Sequence, residues 1–406
     1  MNNIETNAPS LFKQLVHLRR GAPALWYATL ILVAAELIVS LVGPLIVPKH
    51  VYLSAYLGDR ARMTTIRFLD DRDDYLVYDS LLGWRNRPNA SRDKWQLDAN
   101  GARSMHEYGL DRTTPIRALF LGSSLTNGGA AVTTDETISA YLEDSTTECL
   151  NFATMLYTLD QMYLAYSNRL WQYNANVIAV GLPYHPSDGL DNRYLPLRYP
   201  QEVYMPHFKP RLIMRDTALT LMPVPHRDIW RTVFQHNDLL DSLVASDEYY
   251  AEFTGYQRCG FSPLASLGWW TYKKARGLFG ILSDERETSP LVLTLMRRLK
   301  DEAARHDAKV IYMLIPDQAT AFPSRWRKRL PDQFGTLVAN LRKEGFTMVD
   351  VRQVLRDSGE PPWQLFFEDG GHFRPLGNRL IADALRPLSV QSQVQSTSDL
   401  LLREKP

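Results

Sequence analysis

From residue 116 onward, short apolar runs alternate with longer segments that carry an apolar position every three or four residues. Arg117-Ala118-Leu119-Phe120-Leu121 ends in Gly122. Cys149-Leu150-Asn151-Phe152, Val177-Ile178-Ala179-Val180-Gly181, Lys309-Val310-Ile311-Tyr312-Met313-Leu314 and Phe346 to Val349 repeat the type. Runs this short, bounded by turn residues, predict strands buried on both faces. Between and after them, 134–142, 159–171, 290–306, 331–345 and 375–387 carry the helical period, with Thr134 or Asp135 available to cap the first. Alternating strands and helices predict an α/β fold: a three-layer α/β/α sandwich around a parallel sheet. In such sheets the ligand site lies beyond the carboxyl ends of the strands.

The chain opens on a different pattern. Ala24 to Val47 is an apolar run of 24 residues, long enough to cross a bilayer as one helix. Trp26 and Tyr27 occupy one interface, and Pro48, Lys49 and His50 close the other. A cleaved signal peptide has a shorter apolar region and a small-residue cleavage site, which is not found here, so an uncleaved single-pass transmembrane anchor is expected. Lys13, Arg19 and Arg20 precede the run and Lys49, Arg60 and Arg62 follow it, a nearly level count. The short leading tail favours a cytoplasmic amino terminus, with the large domain periplasmic or extracellular on a bacterial inner membrane. The expected division is a cytoplasmic tail over 1–22, an anchor over 23–47, a stalk and small packed segment over 48–115, the α/β domain over 116–390, and a loose tail over 391–406. An aromatic, Pro- and Arg-rich insertion at 189–288 interrupts that domain and is expected to lie over the site. Glu36 falls within the anchor, either as a neutral carboxyl or as a contact to another membrane protein.

Composition narrows the chemistry. The 406 residues are 45% hydrophobic and 22% charged, enough for a large core, and the formal net charge of +1 argues against nucleic acid as the main partner. Two cysteines, Cys149 and Cys259, exclude a disulfide-dense scaffold and are expected to be free or buried thiols. No pair among the nine histidines has metal-ligand helical spacing, and no phosphate-binding glycine motif appears, so neither metal nor cofactor is expected. Arg325, Arg327, Lys328 and Arg329 around Trp326 form a solvated basic face or a contact for anionic lipid headgroups or an acidic polymer.

Two segments carry candidate chemistry. Gly122-Ser123-Ser124-Leu125-Thr126-Asn127-Gly128 follows the first strand, which exposes a serine hydroxyl at the sheet edge beside helix N–H groups able to hold an oxyanion. Asp369-Gly370-Gly371-His372-Phe373-Arg374-Pro375 follows the last strand. A carboxylate three residues before a histidine can accept the imidazole N–H and turn the other ring nitrogen toward a nucleophile.

In order from Arg117 to Leu388, these segments resemble the GDSL or SGNH hydrolases. Gly122 to Gly128 is similar to the family's first block, with Ser124 in the nucleophile position. Asn151-Phe152-Ala153 resembles the second block, followed by Tyr157-Thr158-Leu159-Asp160-Gln161. Ile315-Pro316-Asp317 and Asp369 to Asn378 resemble later features, the last supplying Asp369 and His372. Leu82-Gly83-Trp84-Arg85 and Asn100-Gly101-Ala102-Arg103 look like the leader of membrane-anchored bacterial members. The resemblance implies a flavodoxin-like sheet, a Ser124-His372-Asp369 triad, an oxyanion hole from the N–H groups of Ser124 and Ala153, and an ester or acylated cell-envelope polysaccharide as substrate.

The chain departs from that pattern at three places. Ser123 replaces an aspartate, Ala153 replaces a glycine, and Leu182-Pro183-Tyr184-His185 stands where an asparagine would donate to the oxyanion, leaving Tyr184 or His185 as possible substitutes. Losing one such donor typically costs about 100- to 1000-fold in rate. Three functions therefore stand side by side: an esterase or O-acyltransferase, a silent scaffold that docks a membrane enzyme, and a glycan-binding module using the aromatic insertion.

Overall fold

The computed structural model describes residues 27–41, 59–197 except Asp93, 207–250 with short gaps at 217, 234–236 and 248–249, a few positions between 262 and 271, and 288–403 except 326 and 330. The chain divides into two bodies, one of 1–55 with 251–278 and one of 56–250 with 279–406.

In the first body, residues 27–41 form a helix with largely exposed apolar side chains. Among the described residues no helix is long and apolar enough to cross a membrane, and the rest of the 24–47 run lies outside them. Glu36 Oε2 accepts hydrogen bonds from Ser262 Oγ at 2.9 Å and from Leu264 N–H at 3.2 Å. The carboxylate thus has partners within its own chain, which neither reading of Glu36 included.

The second body is built on a five-stranded parallel sheet. In chain order its strands are β1 (Ile116–Gly122), β2 (Thr147–Asn151), β3 (Val177–Pro183), β4 (Lys309–Ile315) and β5 (Met348–Asp350). Their spatial order is β5-β4-β3-β1-β2, the flavodoxin-like arrangement, with the direction of winding reversing between β1 and β3. Alternate side chains serve two cores. Leu119, Leu121, Ile178, Val180 and Leu314 face one, while Ala118, Phe120, Ala179, Met313 and Ile315 face the other. The first face is covered by the helices Leu159–Asn168, Pro290–Arg305 and Gln333–Lys343. In Pro290–Arg305 the stripe is Val292, Leu295, Met296, Leu299 and Ala303, with Ser289 capping the start. Ile138, Leu142, Val351, Leu355, Ile381 and Leu385 bring the opposite layer against the second face. The three-layer architecture follows from these two apolar faces. A Leu119→Ala cavity at a position 0% exposed would cost about 2–5 kcal/mol.

The described residues bear on three expectations about organisation. Within 48–115, expected as a stalk and a small packed segment, Phe68, Leu69 and Trp84 are buried in the main core, and the hairpin Leu76–Asp79 with Gly83–Asn86 pairs in antiparallel register. The polar residues interspersed here, some of them holding turns or ion pairs, hid the core positions. The described part of the insertion packs on this segment, not over Ser124. Trp230 lies 5.7 Å from Phe68 and 5.9 Å from Tyr78 between ring centroids, and none of residues 207–250 lines the Ser124 cleft. The tail read as loose from 391 continues the last helix, Pro375–Arg403, which passes through Pro387 without ending.

Candidate active site

β1 delivers Ser124 to the sheet edge at the point where winding reverses. Ser123 is extended (φ −94°, ψ −163°) and caps the one-turn helix Ser124–Asn127, so Ser124 occupies its first position. A first-position N–H has no intrahelical acceptor, which leaves it pointing outward. The turn is held close to the sheet because β3 carries Gly181. A Cβ there would lie 1.8 Å from Thr126 Oγ1, so any larger residue would push the Ser124 turn off the strand. Ser124 and Ser123 line a small cleft of about 170 Å³ with Leu156, Tyr157, Pro183 and Asp188.

The loop from Phe366 to Phe373 closes on itself. Those two residues form an antiparallel bridge, Phe367 N–H donates to His372 O at 3.0 Å, and Gln318 N–H donates to Gly370 O at 2.7 Å from the turn after β4. Asp369 Oδ1 accepts the N–H groups of Gly371 at 2.9 Å and His372 at 3.0 Å, while Oδ2 meets His372 Nδ1 at 2.5 Å. Burial works against the Asp369 charge, but these bonds and the imidazole outweigh it and hold the carboxyl below its ordinary value. Asp369 is therefore ionised at neutral pH, and the ring is oriented with Nδ1 toward it.

The opposite nitrogen, Nε2, is buried and has no hydrogen-bond partner among the described residues. It lies against the loop that follows Ser124, where a Cβ on Gly129 would come 3.0 Å from Nε2 and 2.8 Å from Cδ2. A Cβ on Gly371 would come 3.9 Å from Leu125. The structure thus packs the Asp369–His372 loop against the Ser124 turn, although Ser124 does not hydrogen-bond to Nε2. Such contacts commonly tighten only when substrate is bound.

The expected oxyanion donors fare differently. Ala153 is fully buried, and its N–H donates to Asn151 Oδ1 at 3.2 Å, a local turn that uses the donor expected to face the oxyanion. The Tyr184 hydroxyl is 3.5 Å from Gln333 Oε1 and its ring packs on Phe334. Neither Tyr184 nor His185 lines the Ser124 cleft. Tyr184 is drawn toward the Gln333–Lys343 helix, a tertiary preference that motif order does not reveal.

Arg103 has a task that its motif does not reveal. At 1% exposure, it donates to Gly129 O at 2.7 Å, Val132 O at 2.6 Å and Asn127 O at 2.9 Å, and it lies 4.7 Å from the Trp95 ring centroid. Trp95 Nε1 adds a second bond to Gly129 O at 2.8 Å. Burial pushes the Arg103 guanidinium down to about 10, still charged at neutral pH. Gly128-Gly129, a double glycine soon after the serine, was the available signal for this loop. Asn127 Nδ2 and Asn86 Nδ2 both donate to Ala153 O, at 2.7 and 3.2 Å, tying the 83–103 segment to the second block.

Cys149 is a free, buried thiol with its pKa raised by burial; Cys259 lies outside the described residues. Among the described residues no group of histidine, cysteine or carboxylate side chains is placed to hold a metal ion.

No family model matches the chain, and no curated protein matches it in sequence. Among solved structures it is similar to an α/β hydrolase from the metagenome of Lake Arreo, Spain, at 14% identity and a TM-score of 0.34, covering 69% of this chain and 98% of that one. It is also similar to Axe2, an acetylxylan esterase from Geobacillus stearothermophilus, at 12% identity and a TM-score of 0.33, covering 67% and 94%. A likeness of this degree carries no weight about activity, and the chemistry is read from the geometry alone.

Proposed function

We propose that this chain is a serine-dependent acyl-transfer enzyme of the SGNH type, with Ser124 as nucleophile, His372 as base and Asp369 as the group that orients it. The observation that carries the reading is the His372 ring: Nδ1 is held by Asp369 at 2.5 Å, and Nε2 is buried against the loop that follows Ser124, without a partner among the described residues. In the reaction Ser124 Oγ bonds to the ester carbonyl carbon and its proton passes to His372 Nε2. The Ser124 N–H supports the oxyanion, and the departing alkoxide takes the proton back as the C–O bond breaks. Water then releases the acyl group as an acid, or an acceptor hydroxyl takes it as a new ester. The substrate class is an acylated cell-envelope polysaccharide, and the 24–47 run anchors the enzyme in the inner membrane with the catalytic domain outside the cytoplasm.

One observation favours a second reading, a silent SGNH-like scaffold. The Ala153 N–H is engaged by Asn151, and no asparagine follows β3, so the oxyanion site is short of donors. A fluorophosphonate probe separates the two, because only an activated serine reacts. Stoichiometric labelling of the wild-type chain, lost in Ser124→Ala at unchanged melting temperature, supports the enzyme. No labelling of the folded wild type sinks it in favour of the scaffold. Topology is checked with a carboxyl-terminal reporter active only in the cytoplasm, which is expected to be silent.

A further inference from the structure

A second cavity, of about 600 Å³, shares Tyr157 with the Ser124 cleft and lies between the Leu76–Asn86 hairpin, the end of β2 and the Leu159–Asn168 helix. Its size is that of a small-molecule site. Two features of its lining point to one ligand chemistry.

The first is charge. Asp79, Arg85 and Arg169 carry all the formal charge of the lining. Arg169 meets both oxygens of the buried Asp79 carboxylate, which also accepts the N–H groups of Leu81 and Leu82 at 2.9 Å. Arg85 forms only a longer ion pair, 3.7 Å from Asp79 Oδ2 and beyond hydrogen-bond range, and its side chain makes no hydrogen bond among the described residues. Of two guanidinium groups sharing one carboxylate, this one is without a hydrogen-bonded acceptor, and its side chain is 39% exposed. Its planar fork matches a carboxylate.

The second is the walls. Tyr78, Phe152 and Tyr173 present aromatic surface, and the apolar C–H faces of a sugar ring pack on such surfaces while its hydroxyls need polar partners.

We propose that this cavity binds a sugar unit bearing one carboxylate, as found along an acidic polysaccharide. Arg85 takes the carboxylate, and the aromatic walls take the ring. The shared Tyr157 places this unit beside the ester cleft, so the polymer that docks here is the one whose acyl group reaches Ser124. That link rests on the serine chemistry proposed above; the binding itself does not.

The test is isothermal titration of the full chain with trigalacturonate, neutral maltotriose and inorganic phosphate. The same titrations are run on Arg85→Ala, Arg85→Lys and Ser124→Ala. Trigalacturonate is expected to bind the wild type and Ser124→Ala equally. It is expected to bind Arg85→Ala at least 10-fold more weakly, and Arg85→Lys in between, because an ammonium keeps the charge and loses the fork. Maltotriose is expected to bind at least 10-fold more weakly than trigalacturonate. Equal binding of the neutral sugar, displacement of trigalacturonate by equimolar phosphate, no binding of trigalacturonate, or an indifferent Arg85→Ala would each overturn the proposal. Loss of fluorophosphonate labelling with trigalacturonate binding intact would instead remove the serine chemistry and leave this site standing.

Discussion

Gly129→Ala is the most direct probe of the proposed active site, because it disturbs the imidazole without altering a reacting group. Gly129 has φ +56°, and its added Cβ would lie 2.8 Å from His372 Cδ2 and 3.0 Å from Nε2. Carbon contacts relax at about 3.5–4.0 Å, so the ring or the loop must yield by roughly 0.7–1 Å. The loop is the stiffer side, since Arg103 and Trp95 both bind Gly129 O. The ring therefore moves. A displacement of that size costs about 100-fold in rate where a base must face its nucleophile. The left-handed backbone adds about 1–2 kcal/mol of instability, a few degrees in melting temperature. Gly359→Ala is the control: φ is +72°, and nothing lies within 4 Å of the added Cβ. It carries the backbone cost without touching His372. The assay is kcat/KM on p-nitrophenyl acetate beside thermal melting for both variants. Turnover down about 100-fold in Gly129→Ala and near wild type in Gly359→Ala is expected. Wild-type turnover from folded Gly129→Ala would refute the placement of His372 as the base.

Further outcomes follow from the same geometry. Ser124→Ala and His372→Ala should each lower turnover by about 10⁴–10⁶, and the double variant should lose little more, because the pair acts as one unit; additive losses in the same assay would argue against a shared mechanism. Lys209→Met should destabilise the fold by about 3–5 kcal/mol, read by urea unfolding. Its Nζ lies 2.7 Å from Asp160 Oδ2 with both side chains 0% exposed, so the variant strands a buried carboxylate, and adding Asp160→Asn should recover most of the loss. Asp247 is a pH probe. Burial pushes its carboxyl from 3.8 to about 6, more than the N–H groups of Arg193 and Tyr194 and nearby Arg211 pull it down. A raised folded pKa means its stabilising contribution is full below about 4 and lost as pH rises through about 6, a span of roughly 3 kcal/mol. Melting of Asp247→Asn should therefore gain on wild type as pH goes from 4 to 7; a constant difference between the two would show that Asp247 does not titrate there.

The layered α/β architecture was legible in the order of residues because it rests on local periodicity. Each run such as Val177–Val180 alternates side chains between the two cores, and the stripe from Val292 to Ala303 needs only a helix to become one face. Ser124, Asp369 and His372 were legible for a related reason. Turns after strands of a parallel sheet share an edge, and Asp369 binds His372 within a span of three residues. What could not be read depends on contacts between residues far apart in the chain. Residues 59–115 look polar, yet Trp84 is buried by Tyr157 and His207, and Arg103 acts on carbonyls 24 to 29 positions away. The Ala153 N–H was assigned by motif, but its direction depends on how Asn151 is held by Ser139 and Thr126. Arg85 is left with only a longer ion pair because Arg169, far along the chain, hydrogen-bonds both oxygens of Asp79. Periodicity is set by the backbone of a single element and so survives in one dimension. The pairing of a charge, an amide or a glycine with its neighbour is decided only when the elements pack.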